Sequence, residues 1–158
     1  MKHIIKFSLL FIFSITIMCC GGDNKKEARE KTNTTKKENS KKKEAIYDLS
    51  NKGIGPIKSL EFSAEIHKEM AKKGATIFKS KCSVCHKPKK KYIGPAIKGI
   101  YKKRSPAWVM NMILNPNEMV QKDPVAKALL IEFNGVLMGN QNLTEKEARY
   151  LAEYFRTL

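Results

Sequence analysis

Two cysteines and a histidine lie within five consecutive positions of the chain, in the sequence CSVCH at residues 82–86. A Cys-x-x-Cys core occurs in redox-active dithiols, in structural zinc sites and in sites of covalent haem attachment. These three chemistries require different ligands and different surrounding folds. The rest of the sequence therefore determines what Cys82, Cys85 and His86 can do, and with it the kind of core that the chain can build.

The remaining sequence disfavours the first two chemistries. Structural zinc needs four ligands, but beyond residue 52 the sequence has only these two cysteines and one further histidine, His67. A redox dithiol usually lies beside a strand-helix-strand unit, and no strand pattern is present. C-x-x-C-H is the attachment motif of c-type haem, whose vinyl groups bond the thiols and whose iron binds the histidine. We therefore predict one haem c at Cys82, Cys85 and His86, with a redox dithiol as the alternative.

Residues 1–20 have the pattern of a bacterial lipoprotein signal peptide. Two lysines precede an apolar run of twelve residues, 7–18, which is too short to span a bilayer comfortably. The run ends at Cys19 and Cys20, and a cysteine in this context is lipidated and becomes the new N-terminus. We predict that Cys20 is lipidated, with Cys19 or an uncleaved membrane anchor as alternatives. Each interpretation places the rest of the chain outside the cytoplasm, on the periplasmic side of a bacterial membrane.

A highly charged segment separates this signal from the folded region. Residues 21–52 hold ten Lys or Arg and six Asp or Glu, and such a composition cannot offset the entropy of ordering by apolar burial. We predict a Lys-rich disordered linker over residues 21–54, whose span of roughly 30–35 Å would hold a domain away from a lipid surface. Residues 55–158 are then long enough for one small domain.

Four helices are predicted in this domain, which makes it all-α. The first covers about residues 63–81 and leads into the CSVCH motif. The second and third begin with an N-cap residue followed by proline, at Ser105 and Asp123. The last begins at a capping box formed by Thr144 and Glu147, and its apolar residues recur at helical spacing. We expect these helices to surround one covalently bound haem.

A c-type haem commonly takes its second axial ligand from a methionine in a later loop. Met119 lies in NPNEMVQKD, which we predict to be a polar loop, and Met138 lies in the predicted loop NGVLMGNQNLT, just before the last helix. The glycines at 135 and 139 would let the backbone approach a flat ring closely. We predict Met138 as the distal iron ligand, opposite His86, with Met119 as the alternative.

Four stretches together resemble a class I, mono-haem cytochrome c: GATIFKSKCSVCH, YIGPAIKGIY, SPAWVMNMI and LMGNQNLTEKEARYLAEYFR, in that order. The resemblance covers about residues 68–158. It implies a covered haem with one exposed edge, and the transfer of single electrons. It also implies that Gly74 and Phe78 of the first helix pack against the last helix, near Tyr154 or Phe155.

The resemblance also implies roles for single residues of the site. The thioether positions, the proximal ligand and the distal ligand correspond to Cys82, Cys85, His86 and Met138. Pro95 matches the family proline whose carbonyl accepts the proximal histidine N–H, a bond that would fix the ring tautomer. Trp108 and Tyr101 are candidate hydrogen-bond donors to the haem propionates, although either would also suit a purely structural position.

Positive charge is concentrated around the motif. Residues 79–104 hold ten basic residues and no acidic one, and residues 53–158 hold nineteen basic and nine acidic residues. Lysines beside an exposed haem edge would steer acidic redox partner proteins towards it. Nucleic acid is the rival partner for a basic protein, but an exported haem domain does not meet it. We therefore predict no nucleic-acid partner, a monomer, and a membrane attachment through the lipid on Cys20.

We predict an electron carrier rather than an enzyme. Residues 111–144 are similar to small cytochromes encoded with bacterial nitrous-oxide reductases, which implies electron delivery towards such a copper reductase. One alternative is a haem-based sensor or enzyme with an open sixth iron position, which ligation by Met138 would exclude. A second alternative is a thiol oxidoreductase that uses Cys82 and Cys85 and binds no haem.

The lipid anchor generates the first testable prediction. The full-length protein should be found in the membrane fraction, and Cys20→Ala should release or mislocalise it because the acyl chains are lost. Cell fractionation measures this, with Cys19→Ala as the matched control that should stay membrane-bound. An unmodified N-terminus at a later residue, found by mass spectrometry, would contradict the prediction.

Overall fold

The computed structural model describes residues 48–158, so the predicted signal peptide, Cys20 and most of the predicted linker lie outside the described residues. The described part contains five α-helices and no strand: α1 (Lys68–Ile77), α2 (Pro106–Leu114), α3 (Pro116–Lys122), α4 (Pro124–Glu132) and α5 (Glu145–Arg156). A π-helical turn, Phe78–Cys82, continues α1, and a 3₁₀ turn, Ile100–Lys102, precedes α2. None of the described helices is long and apolar enough to cross a membrane. The all-α prediction is confirmed.

Two helices differ from their predicted extents. α1 begins at Lys68 rather than near residue 63, because Arg156 donates to carbonyl groups of residues 63–65 that a helix would have used internally. α3 is an additional helix in a stretch that was predicted as a polar loop, and Pro116 supplies a favoured first residue for it. Met119 is consequently a fully buried helical residue rather than a loop residue.

The crossing of α1 and α5 organises the core. A Cβ at Gly74 would collide with the main-chain carbonyl of Tyr150, so this glycine allows the two helices to approach closely. The buried ring of Phe78 lies 5.4 Å from the ring centroid of Tyr154 and 6.0 Å from that of Phe155. The predicted packing of Gly74 and Phe78 on the last helix is therefore confirmed. Because the π-helical turn continues α1, the crossing also places the start of the CSVCH motif.

The folded region begins earlier than the predicted boundary at residue 55. Residues 51–57, called the strap below, are hydrogen-bonded to α2 and α3. Asn111 is fully buried in α2, donates to the carbonyls of Lys52 and Ile57 at 2.8 and 2.9 Å, and accepts from the Ile57 N–H at 3.0 Å. A buried amide needs such partners, so the predicted linker extended a few residues too far.

A buried carboxylate fastens another part of the N-terminal segment to α5. Glu153 is fully buried and accepts hydrogen bonds from Arg149 at 2.6 Å and from Arg156 at 2.8 Å. Both guanidinium groups lie over the ring of Phe62, at 5.2 and 4.6 Å from its centroid. Burial by itself would raise the pKa of the Glu153 carboxyl, but the hydrogen bonds from the two arginines outweigh it and hold the pKa below its usual range.

Glu153→Gln should destabilise the domain by about 3 kcal/mol, because it removes the charge that two arginines share inside the fold. The folded-state pKa is lower than the ordinary value of 4.5, so the carboxylate's contribution is present above about pH 4.5 and is lost as the pH falls through the folded pKa. Urea unfolding at several pH values measures both effects. The variant should lack this acid-dependent loss, whereas Glu145→Gln, an exposed residue of α5, should behave as the wild type. An equal stability of the two variants would contradict the prediction.

Candidate haem site

The CSVCH motif follows α1 through the π-helical turn, a rare geometry that is frequent at functional sites. The Ser83 N–H donates to the Phe78 carbonyl at 2.9 Å, five residues back. The Cys82 carbonyl then accepts from the N–H groups of Cys85 and His86, at 3.2 and 2.9 Å. Cys82 packs against the core, Cys85 is exposed and His86 is half-buried. The motif therefore forms one compact turn at the surface of the core.

The His86 ring is oriented by Pro95. Its Nδ1 atom lies 3.0 Å from the Pro95 carbonyl oxygen. A carbonyl can only accept, so Nδ1 carries the proton and donates, and Nε2 keeps a free lone pair. This is the tautomer that an iron ligand needs, and the hydrogen bond fixes the orientation of the ring. The structure thus contains the contact between His86 and Pro95 that the sequence predicted.

Gly94 is a site residue that the sequence did not reveal. A Cβ at this position would lie 2.5 Å from Cε1 and 2.8 Å from Nδ1 of His86, so the main chain passes directly against the imidazole ring. The Gly94 N–H donates to the Cys85 carbonyl at 2.9 Å. This bond closes residues 87–94, called the proximal loop below. A glycine directly before Pro95 is the signal that could have identified the position.

The Cys82 thiol does not resemble the activated thiol of a redox pair. Burial raises the pKa of the Cys82 thiol to about 11, although the positive charge of Lys81 opposes this effect. A redox-active cysteine needs a lowered pKa so that the thiolate forms near neutral pH. The environment of Cys82 therefore disfavours the dithiol alternative and suits a sulfur that is bonded to an apolar group.

The structure distinguishes the two candidate methionine ligands. Met119 is fully buried, and its Sδ accepts a hydrogen bond from the Ile54 N–H at 3.0 Å. A Cβ at Gly53 would lie 2.8 Å from the same sulfur, so the strap is packed tightly against it. Met138 lies in irregular chain after α4 and is half-buried against the core. Of the two, Met138 is the one whose sulfur the strap does not hold.

Residues 134–143, called the distal loop below, are fixed at both ends. Asn134 and Gly135 have left-handed φ values of 56° and 77°, and the Gly135 N–H donates to the Leu130 carbonyl at 2.8 Å, which terminates α4. At the other end, Thr144 and Glu147 form the predicted capping box at the start of α5. These two helix ends determine where the loop presents Met138.

Trp108 and Tyr101 have hydrogen-bond partners other than the predicted propionates. The Trp108 Nε1–H donates to the Asp123 carboxylate at 3.1 Å, and that carboxylate also caps α4 through the Ala126 N–H. The Tyr101 hydroxyl donates to the Ala152 carbonyl at 3.0 Å, and burial raises the pKa of Tyr101. Both donors are therefore used to join parts of the fold, which is the structural position that the sequence analysis also allowed for them.

Comparison with known proteins agrees with this geometry. Residues 71–158, more than half of the chain, match the family described as Cytochrome c. The chain belongs to the cytochrome c family. It is a class I c-type cytochrome, and it binds one haem c covalently. No curated protein matches the chain.

Solved structures of a bacterial cytochrome c are also similar. Cytochrome c from Rhodothermus marinus has 38% identity and a TM-score of 0.63, and the match covers 65% of this chain and 88% of that one. An engineered form of the Rhodothermus marinus protein has 37% identity, a TM-score of 0.63 and coverages of 65% and 89%. The engineered form bound to a carbene intermediate has 38% identity, a TM-score of 0.60 and coverages of 65% and 88%.

The residues present fit haem c. Two thiols, a free imidazole lone pair and a thioether sulfur are the donor set that such a haem requires. Eight large apolar side chains are exposed in the described part. Six of them lie in the motif, in the proximal loop, or in and beside the distal loop, which are the segments next to the candidate ligands: Val84, Tyr92, Ile93, Ile131, Val136 and Leu137. When bound, the haem supplies one-electron iron chemistry. Cys82 and Cys85 would hold it covalently and His86 and Met138 would ligate the iron, while Pro95 and Gly94 fix the imidazole ring.

Met138→Ala should remove the weak red absorption band of methionine-ligated ferric iron, because the thioether is lost. It should also open the iron to carbon monoxide and lower the potential by on the order of a hundred millivolts. Absorption spectroscopy and redox titration measure these changes. Met119→Ala is the matched control: it should keep the band but cost about 2–5 kcal/mol of stability, because Met119 is fully buried. Loss of the band in the Met119 variant alone would reverse the ligand assignment.

Proposed function

We propose that this cytochrome c is a lipid-anchored carrier that moves single electrons between acidic redox proteins on the periplasmic side of a bacterial membrane. Haem-based electron transfer is the function that membership of the family supports. The observation that carries the proposal is the donor set: the Nδ1 atom of His86 is engaged by Pro95, which leaves Nε2 for iron, and Met138 is the candidate methionine whose sulfur the strap does not hold. Iron with two protein ligands changes oxidation state with little change in its surroundings, which suits a carrier rather than an enzyme that binds substrate at the metal.

The distribution of charge supports the choice of acidic partners. Within residues 79–104, eight lysines are exposed and no acidic residue is present. These residues include the motif and the proximal loop, so the positive charge surrounds the attachment site of the haem. A field of one sign beside the haem would raise the rate of encounter with proteins of opposite charge, most strongly at low ionic strength.

The anchor and the linker support a function at a membrane. A lipid on Cys20 followed by the charged residues 21–47 would leave the domain free to reach partners within a limited distance of the lipid surface. The strap begins at residue 51 and is hydrogen-bonded to α2 and α3. The linker would therefore join the domain at the strap, which hydrogen bonds hold in place, and not at the proximal or the distal loop.

A nitrous-oxide reductase is the acceptor that we propose for this carrier. The proposal is supported by the similarity of residues 111–144 to small cytochromes encoded with such reductases. Reduced holoprotein mixed with purified nitrous-oxide reductase should become oxidised when nitrous oxide is added, as measured by absorption. No oxidation above that seen with heat-inactivated reductase would exclude this acceptor and leave the carrier function itself intact.

Charge reversal in the proximal loop tests the electrostatic part of the proposal. The double variant Lys89→Glu, Lys90→Glu should react about three- to tenfold more slowly with an anionic one-electron reagent and faster with a cationic one, because the steering field is weakened. Stopped-flow absorption at low and high salt measures both rates. Lys127→Glu, an exposed lysine of α4, is the control and should change them little. Equal responses to the two reagents would contradict steering by the proximal loop.

A further inference from the structure

Lys91 links the two segments that carry the axial ligands. It lies in the proximal loop, which follows His86, and its Nζ atom is 3.2 Å from Oε1 of Glu132, the last residue of α4. The same Nζ lies 4.2 Å from the ring centroid of Phe133, which is buried and directly precedes the distal loop. One ammonium group therefore contacts both residues at the base of the loop that carries Met138.

This contact has no equivalent elsewhere in the described part of the chain. Among residues 48–158, the other three ion pairs each lie within a single helix. Of the hydrogen bonds formed in the same part, the one from Lys91 to Glu132 is also the only one that joins residues 79–98 to residues 128–144. Among the described residues, the polar connection between the segment that carries His86 and the segment that carries Met138 therefore depends on Lys91.

Between its ends, the distal loop is held by the packing of Met138 and Leu143 against the core. Within the described structure, the backbone of residues 137–143 makes no hydrogen bond to another part of the domain. Its first two residues, Asn134 and Gly135, have left-handed backbones, and they directly follow the two residues that Lys91 contacts. Segments with so few bonds open locally more readily than the packed helices do.

We propose that Lys91 is a positioning residue that latches the base of the distal loop to the proximal loop and so limits the access of small neutral ligands to the iron. The proposal rests on Met138 as the distal ligand. When the latch opens, the end of α4 is free to move with the distal loop, and an uncharged nitrogen donor such as imidazole can replace the methionine sulfur. Both side chains of the pair are more than half exposed, at 57% and 56%, so the latch is weak and sensitive to salt.

Imidazole binding to the ferric holoprotein, followed by stopped-flow absorption at about pH 8 where imidazole is mostly uncharged, tests the proposal. Glu132→Gln breaks the pair without removing a lysine, so it leaves the basic surface intact. It should raise the binding rate about two- to fivefold at low ionic strength, the scale of an exposed ion pair. Added salt should accelerate binding to the wild type but not to the variant. Amide hydrogen exchange of residues 136–143 should also be faster in Glu132→Gln.

Four further variants determine how the result is interpreted. Lys91→Gln, which also removes the contact with the Phe133 ring, should accelerate binding at least as much as Glu132→Gln. The exchanged pair Lys91→Glu with Glu132→Lys restores only the ion pair, so it should recover part of the slow rate. Lys89→Gln is the control for a lost lysine and should bind imidazole as the wild type does. The latch is wrong if Glu132→Gln keeps the wild-type rate and salt dependence, or if Lys89→Gln accelerates binding equally. Met138→Ala, measured in parallel, separates the two failures: if it does not accelerate binding, the ligand assignment is wrong and not merely the latch.

Discussion

The close crossing of α1 and α5 at Gly74 is the contact on which the site depends. α1 leads through the π-helical turn into the CSVCH motif, and α5 begins where the distal loop ends. Because the carbonyl of Tyr150 leaves no room for a side chain at position 74, the two helices have one closest approach, which Phe78 reinforces through its contacts with α5. The crossing therefore fixes the segment that carries Cys82 and His86 relative to the start of the helix that follows Met138.

Much of this could be predicted from the sequence, because the signals are local. The motif, the N-caps at Ser105 and Asp123 and the capping box at Thr144 each involve residues within four positions of one another, and the structure contains these caps as predicted. The Pro95 contact came from the family resemblance and could not have come from spacing alone. α3 was missed since its stretch is polar, and only the tertiary burial of Met119 makes it part of the core.

What the sequence could not show were partners far apart along the chain. From the sequence alone, the indole N–H of Trp108 and the hydroxyl of Tyr101 could each donate a hydrogen bond to a haem propionate. Their actual acceptors, Asp123 and the Ala152 carbonyl, are 15 and 51 residues away. The strap has no apolar periodicity either, and its order depends on the buried amide of Asn111. Long-range hydrogen bonds of this kind leave no spacing pattern, so they appear only in the folded structure.

The strap also bears on the choice between the two candidate methionine ligands, Met119 and Met138. A methionine sulfur that is free and near the iron would compete for it, and a second ligation state would carry a different potential. The Ile54 N–H occupies the Met119 sulfur, and the tight approach of Gly53 excludes any other contact on that side. The same bonds fix the point at which the linker joins the domain. The order of the strap and the engagement of the Met119 sulfur are thus consequences of one set of contacts.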